Sequence, residues 1–313
     1  MLDPMRLSML REFARRGTVA AAAEAMGYTS SAVSQQLAAL EREAGTPLTT
    51  RTGRRLRLTP AGVRLVARAE EILGAMDLAE SELKDADTEP SGTVRLAVFQ
   101  SAALTLVPRA LLALRESHPR VRVHVTQSEP GAALADTWAR DFDLVIAEEY
   151  PHHSAPHYPD MVRQPLLADE IRLCVGGRWT AATRLPEVAG APWVMEPSGT
   201  ATRHFAEQAC RVAGFEPDVL FETADLQAHA AYIADGLAVG LLPGLMWTRP
   251  GFDAAARALS PAAHRTIFTA ARAVSAADPA VLALRGALTS ASHSVDLRAG
   301  AHDLTPEESR SRD

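Results

Sequence analysis

Across residues 4–16 apolar side chains recur every three or four positions, with Leu7, Leu10, Phe13 and Ala14 on one face and Gly17 following as a stop. The pattern predicts a supporting helix. Residues 18–40 read as two further helices about a sharp turn. Ala and Met fill the first, Gly27 interrupts it, and Thr29 offers an N-cap hydroxyl to the second. In that second helix Val33, Leu37 and Leu40 share a face, which leaves Ser30, Ser31, Ser34 and Gln35 on the other. The helix continues through Glu41 and Glu43 and stops at Gly45. This layout predicts a helix-turn-helix, whose second helix sets its N-terminal side chains against base edges in a major groove.

Residues 48–59 then alternate as a short hairpin, with Gly53 at the turn and Leu56 and Leu58 pointing one way. Arg54, Arg55 and Arg57 cluster at its tip, where they suit phosphate contact or minor-groove entry. The plainer reading is a solvated basic turn, and proximity to the helix-turn-helix favours the first. Thr59-Pro60 opens a long helix expected to reach about residue 84. Leu65, Ala69, Ile72, Met76, Ala79 and Leu83 alternate at four and three residues, a heptad seam that calls for a partner helix; the alternative is packing against the chain's own domains. Residues 85–92, acidic and containing Pro90 and Gly92, read as a linker.

From residue 93 strands and helices alternate. Strands are expected at 93–99, 121–127, 143–147, 166–175, 193–195, 238–242 and 266–274, and helices at 104–117, 132–140, 202–213, 226–235 and 279–289. That order is α/β. Residues 150–159 form a loop rich in Pro and His, and residues 293–313 read as a disordered tail.

Composition sharpens this picture in three ways. With 313 residues and 47% hydrophobic content the chain can hold two or three domains with sizeable cores. A net charge of −6 looks wrong for a DNA-binding protein. However, residues 1–65 hold ten arginines against five acidic residues, a balance of +5, while the rest carries 22 basic and 33 acidic residues, or −11. Phosphate contact is therefore expected only from the basic end. No signal peptide or membrane-length apolar run is visible, which predicts a cytoplasmic protein without membrane attachment. Cys174 and Cys210 lack CxxC spacing and read as buried packing rather than a redox pair. His152, His153 and His157 lie in the Pro-rich loop without a matching ligand set, so no metal is expected. No G-x-S-x-G, GxGxxG or Walker pattern occurs, and neither catalysis nor a cofactor is expected.

The N-terminal residues resemble the LysR-type transcriptional regulators. The likeness is carried by the apolar first helix ending at Phe13, Thr18 with Ala22-Ala23, Ala32-Val33-Ser34-Gln35, Leu40-Glu41, Gly45-Thr46-Pro47-Leu48, Arg51 and Leu58-Thr59-Pro60-Ala61-Gly62. The resemblance implies a winged helix-turn-helix over 1–62, a linker and dimerisation helix with hinge over 60–91, and an effector-binding domain over 92–292. This last would comprise two α/β subdomains similar to periplasmic binding proteins, one of residues 92–165 with 266–290 and the other of 166–265, joined by crossing strands. The chain is thus read as an α/β protein with an N-terminal all-α winged helix-turn-helix. It would bind an interrupted inverted repeat in double-stranded DNA as a dimer or dimer of dimers, with RNA polymerase as a candidate partner. A small molecule closing the cleft between subdomains would alter the spacing of the DNA readers. Thr18, Thr29 and Arg51 join the recognition-helix and wing residues as candidate DNA contacts.

In that cleft, Gln100 and Ser101 open a helix after a strand, where a hydroxyl and free backbone N–H groups suit a carboxylate or other anion. Ser198, Gly199 and Thr200 repeat this chemistry in the second half, and Thr126, Ser128 and Thr223 stand at strand ends. Two positions depart from the family pattern. Thr49-Thr50 replaces Leu-Phe before Arg51, removing an apolar anchor from the wing, and Ser30-Ser31 replaces Gln-Pro at the start of the recognition helix. Two rival readings are a solute-binding module with an assembly domain and an enzyme fused to a DNA-binding domain. The basic winged N-terminus opposes the first, and the lack of an arranged acid, base or nucleophile opposes the second.

Overall fold

The computed structural model describes residues 1–52, 55–82, 89–248 and 255–295, which fall into two compact units divided at 88/89. The turn residues Gly53 and Arg54, the last seam residue Leu83, linker residues 85–88 and most of the tail lie outside the described residues, as do the side chains of Arg55 and Ala79.

The first unit holds α1 (Pro4–Arg16), α2 (Val19–Met26), α3 (Ser30–Ala44), β1 (Thr49–Thr52), β2 (Arg55–Leu58) and α4 (Pro60–Glu82). Each of the first three helices starts on a capping side chain: Asp3, Thr18 and Thr29 accept from the backbone N–H of Arg6, Ala21 and Ala32. Each ends on a left-handed glycine, Gly17, Gly27 or Gly45, a conformation that costs glycine nothing. Leu7, Leu10, Phe13, Ala22, Ala23, Val33, Leu37 and Leu40 form one core with Leu48 from the base of the hairpin.

The wing is anchored without the missing Leu-Phe. A single oxygen of Glu41 on α3, Oε1, accepts from Leu48 N (2.9 Å), Thr49 N (2.8 Å) and the Thr49 hydroxyl (2.9 Å). A polar clamp thus stands where an apolar anchor was expected to be lost, and Leu48 remains buried beneath it. Opposite the clamp, Thr59 N donates to Leu48 O, the Thr59 hydroxyl donates to Pro47 O, and the same hydroxyl caps α4 by accepting from Gly62 N. A Cβ on Gly62 would stand 2.1 Å from Leu48 O. Gly62→Ala gains about 1 kcal/mol in helix propensity, but the backbone clash outweighs it. The variant should lose roughly 1–3 kcal/mol in stability, read by urea unfolding followed by circular dichroism.

The seam on α4 divides into two parts. Ala69 is 0% exposed, and with Leu73 and half-buried Leu65 it belongs to the chain's own core, against α1. Ile72 and Met76 remain 39% and 41% exposed, and among the described residues that core reaches no further along the helix than Leu73. The expected seam is therefore corrected at Leu65 and Ala69, which pack at home, while Ile72 and Met76 are free to face a partner.

The second unit holds β3 (Gly92–Val98), α5 (Gln100–Ser117), β4 (Val121–Gln127), α6 (Pro130–Trp138), β5 (Leu144–Glu149), β6 (Met161–Val175), β7 (Pro192–Met195), α7 (Ala201–Val212), β8 (Asp218–Glu222), α8 (Leu226–Ala234), β9 (Gly240–Pro243), β10 (Ala255–Arg272), α9 (Ala273–Ala276) and α10 (Pro279–His293). Six strands form one sheet in the order β4-β3-β5-β10-β6-β9. In it β3 runs parallel to β4 and β5, while β10 is antiparallel to β5 and β6. The parallel pair β7-β8 joins the far edge through a bridge between Trp193 and Val239, next to β9. Helices α5 and α10 cover one face of the first half, and α6 lies on the other. The divisions expected at 165/166 and 265/266 fall inside β6 and β10, so the two halves share these long strands. Several elements differ from expectation: β8 lies outside the expected strand ranges, β6 begins at Met161 rather than 166, β10 begins at Ala255 rather than 266 and gives way to helix α9 at Ala273, and α5 begins at Gln100 rather than 104, with Pro108 inside it.

Candidate functional site

On α3 the residues divide by face. Val33, Leu37 and Leu40 are buried, while Ser30, Ser31, Ser34 and Gln35 are exposed, as is Thr18 at the start of α2. Thr29 is also exposed but already occupied, accepting from Ala32 N and sharing a 3.0 Å hydrogen bond with Ser31 Oγ. This leaves Ser30, Ser34 and Gln35 as the donors and acceptors with most freedom on the face. Arg6 braces the helix from behind: its Nε donates to Gln36 Oε1 (2.8 Å), and its guanidinium pairs with Glu43. Arg51 and Arg57 project from the two hairpin strands and are exposed.

In the second unit a cavity of about 240 Å³ opens between the two halves. Phe99, Gln100, Ser101, Gln127, Ser128, Glu129, Pro130 and Glu148 line it from the first half, Glu196, Ala224 and Leu226 from the second, and Arg265 from the shared strand β10. Gln100 ties the halves together. Its Nε2 donates to Asp225 Oδ1 and its Oε1 accepts from Leu226 N, both at 2.8 Å. One side chain thus bridges the first turn of α5 and the N-cap of α8.

At the floor of the cavity stands a buried charge network. Arg265, 2% exposed, donates through Nε to Asp169 (2.8 Å), through Nη1 to Glu148 and through Nη2 to the Ser101 hydroxyl (2.8 Å). Asp169 is 0% exposed and also accepts from Leu245 N (3.0 Å), while Glu148 is 7% exposed. The Phe99 ring lies 5.1 Å from the guanidinium. Burial raises both carboxyls against the pull of Arg265. Arg265 in turn stays protonated, because its two carboxylates outweigh the desolvation that would lower it. Above this floor, burial first and then the charges of Glu148 and Glu129 push the Glu196 carboxyl up to about 8. Burial also raises Glu129.

Of the expected effector residues, Gln100, Ser101 and Ser128 line the cavity. Ser101 is fully buried and its hydroxyl already accepts from Arg265, so it holds the floor. The others stand elsewhere. Thr126 is exposed on the edge strand β4. The Thr200 hydroxyl caps α7, accepting from Arg203 N, and donates to Pro197 O. Ser198 reaches Glu222, and Gly199 forms the left-handed turn between them. The Thr223 hydroxyl accepts from Asp225 N. The Thr200 and Thr223 hydroxyls thus already accept from backbone N–H groups in cap and turn geometry, which competes with any ligand for the same lone pairs. Glu129, Glu148, Asp169, Glu196 and Arg265 were not foreseen. The available signal was a charge inside an apolar strand: Glu148 after Leu144–Ala147, and Asp169 and Arg265 in β6 and β10.

Both cysteines are buried, and burial pushes both thiols up, Cys210 to about 12, against the reactivity a thiolate needs. His229 is buried, its Nε2 meeting Thr223 O at 2.7 Å. Among the described residues no helix is long and apolar enough to cross a membrane.

Comparison with known proteins agrees with this arrangement. Residues 5–63 match the family model for the bacterial regulatory helix-turn-helix protein of the lysR family, and residues 87–292 match the LysR substrate binding domain. The transcriptional dual regulator GltC of Bacillus subtilis is 29% identical over 272 residues, covering 84% of this chain and 89% of that one. The malonate utilization transcriptional regulator of Klebsiella pneumoniae is 26% identical over 247 residues, with 77% and 79% covered. Among solved structures, a full-length OxyR variant from Pseudomonas aeruginosa superposes with a TM-score of 0.67 at 18% identity, over 92% of this chain and 98% of the other. Full-length CbnR complexed with its target DNA superposes with a TM-score of 0.53 at 18% identity, over 93% and 100%. The structural likenesses carry the fold and the family models carry the kinship: the chain belongs to the LysR family, as a DNA-binding transcriptional regulator with an effector-binding domain.

Proposed function

We propose that this regulator reads an interrupted inverted repeat as a dimer or dimer of dimers in the cytoplasm, and that a small molecule in the cavity between the halves of its second unit sets its activity. The observation that carries the reading is the division of α3 into a packed face and an exposed one bearing Ser30, Ser31, Ser34 and Gln35. Thr18 and Thr29 stand at helix starts, where a hydroxyl and free N–H groups suit phosphate. Arg51, Arg54, Arg55 and Arg57 supply the wing's charge toward the backbone or minor groove.

On the effector side, Gln100 bridges the two halves, so a ligand that competes for Asp225 or Leu226 N would change the closure of the cleft. Ser128 and Ser101 contribute from the first half. Thr126, Ser198, Gly199, Thr200 and Thr223 fit at most a wider, opened cleft. Ile72 and Met76 provide exposed apolar positions on the pairing helix, and the heptad spacing of the sequence adds Ala79 and Leu83. RNA polymerase would be met by the DNA-bound assembly.

Selection from a random duplex pool tests the reading. The full chain should enrich sequences with two half-sites related by a dyad. The variant carrying Ile72→Glu and Met76→Glu should sediment as a smaller species and enrich only single half-sites. An unenriched pool, or an unchanged assembly in the double variant, would remove the proposal.

A further inference from the structure

Resting on the reading of this cavity as the effector site, we propose that it takes a cationic ligand, an alkyl amine or guanidinium compound, in place of the carboxylate that its helix N-terminus suggests. The first observation is its charge. Arg265 is the one cationic side chain among the lining residues, and it is already engaged by Glu148 and Asp169. Glu129 and Glu196 line the cavity with Glu148, while Asp169 pairs with Arg265, so three acidic side chains face the space against one guanidinium that is already paired. The N-termini of α5 and α6 contribute roughly half a positive charge each, which does not reverse the balance.

The second observation is the shape and chemistry of the walls. Glu129, Glu148 and Glu196 are not a surface patch but line a cavity of about 240 Å³ between two halves that a side chain bridges. Phe99, Pro130, Ala224 and Leu226 provide apolar wall for methylene groups, and Gln127 and Ser128 offer oxygens that accept from N–H donors. An incoming anion would find Ser101 fully buried and Arg265 neutralised. An incoming ammonium would find Glu196 on the second half and Glu129 on the first, and could draw the two halves together.

Glu196 gives the inference a distinctive signature. Facing it are Glu148 and Tyr150 from β5 and the turn after it, Glu129 ahead of α6, Arg265 from β10 and the Thr202 hydroxyl of α7. With its carboxyl raised to about 8, Glu196 is mostly neutral at pH 7. A cation favours the ionised form, so its binding expels a proton and strengthens as pH rises. An anion favours the neutral form and strengthens as pH falls.

Isothermal titration of the full chain tests this with 1,4-diaminobutane and 4-aminobutylguanidine as cationic probes and malonate as the anionic one, at pH 6.5 and 8.5. The cationic probes should bind on the order of tenfold more tightly at pH 8.5, with proton release. Glu196→Gln should flatten that dependence and weaken binding, and Ser128→Trp, which fills the cavity, should abolish it. Malonate binding that strengthens at low pH and is lost in Ser128→Trp would overturn the cationic inference while leaving the cavity as the effector site. Amine binding unaffected by either substitution would mark nonspecific attraction to an acidic protein and also overturn it. No binding by either class would remove the inference and count against the cavity itself.

Discussion

Replacing Arg265 by methionine is expected to lower the unfolding free energy of the second unit by about 3–5 kcal/mol. The guanidinium pairs with both Glu148 and Asp169, and its removal leaves two carboxylates in a site almost closed to water. They can respond only by taking up protons, each of which costs folding free energy at neutral pH. Methionine fills much of the volume, so the loss reports charge and not a cavity. Arg265→Lys should recover little, because an ammonium cannot span Asp169, Glu148 and the Ser101 hydroxyl at once. Adding Glu148→Gln and Asp169→Asn to the methionine variant should restore a large part of the loss, since the uncompensated charges are then gone. Urea unfolding followed by the fluorescence of buried Trp193 provides the measurement. A change below about 1 kcal/mol would place Arg265 with ordinary surface ion pairs and refute its role as the floor of the cavity.

The first unit was legible because local chemistry dictates it: caps at Asp3, Thr18 and Thr29, glycine stops at 17, 27 and 45, and an apolar stripe at helical period. The seam was legible as a period but not as an assignment. Heptad spacing does not say whether Ala69 meets α1 of its own chain or another helix, and tertiary packing decided it. The wing anchor was not legible at all, because Glu41 is separated from Thr49 by a turn whose path a sequence does not give.

In the second unit the early part of β10 was missed for a different reason. Residues 255–265 are rich in alanine and contain Pro261, a composition poor in strand preference, and they are strand because β6 pairs with them. The cavity shared this obscurity. Arg265 and Glu148 are 117 residues apart, and Arg265 and Ser101 are 164 apart, so long-range pairing alone creates the site. Hydroxyls at strand ends drew notice because they suit anions, whereas most of them serve caps and turns.

The second large effect concerns the reading face of α3. Ser34 and Gln35 are exposed on a helix whose opposite face is locked by Val33, Leu37 and Leu40, so their replacement by alanine removes polar contacts without disturbing the core. Alanine at both also favours the helix slightly, which protects the fold of the variant. A base contact of this kind contributes about 1–3 kcal/mol of discrimination, and a dimer makes it at two half-sites, for roughly 2–6 kcal/mol in all. Phosphate contacts from the wing arginines remain and keep nonspecific binding in place. Fluorescence anisotropy of a selected duplex and of a scrambled one, at two salt concentrations, with the wild-type chain and with the Ser34→Ala, Gln35→Ala variant, tests the central claim most directly. The account predicts that the variant binds the selected duplex at least about thirtyfold more weakly while its affinity for the scrambled duplex and its salt dependence stay as in wild type. An unchanged ratio between the two duplexes would contradict it and move sequence recognition away from α3.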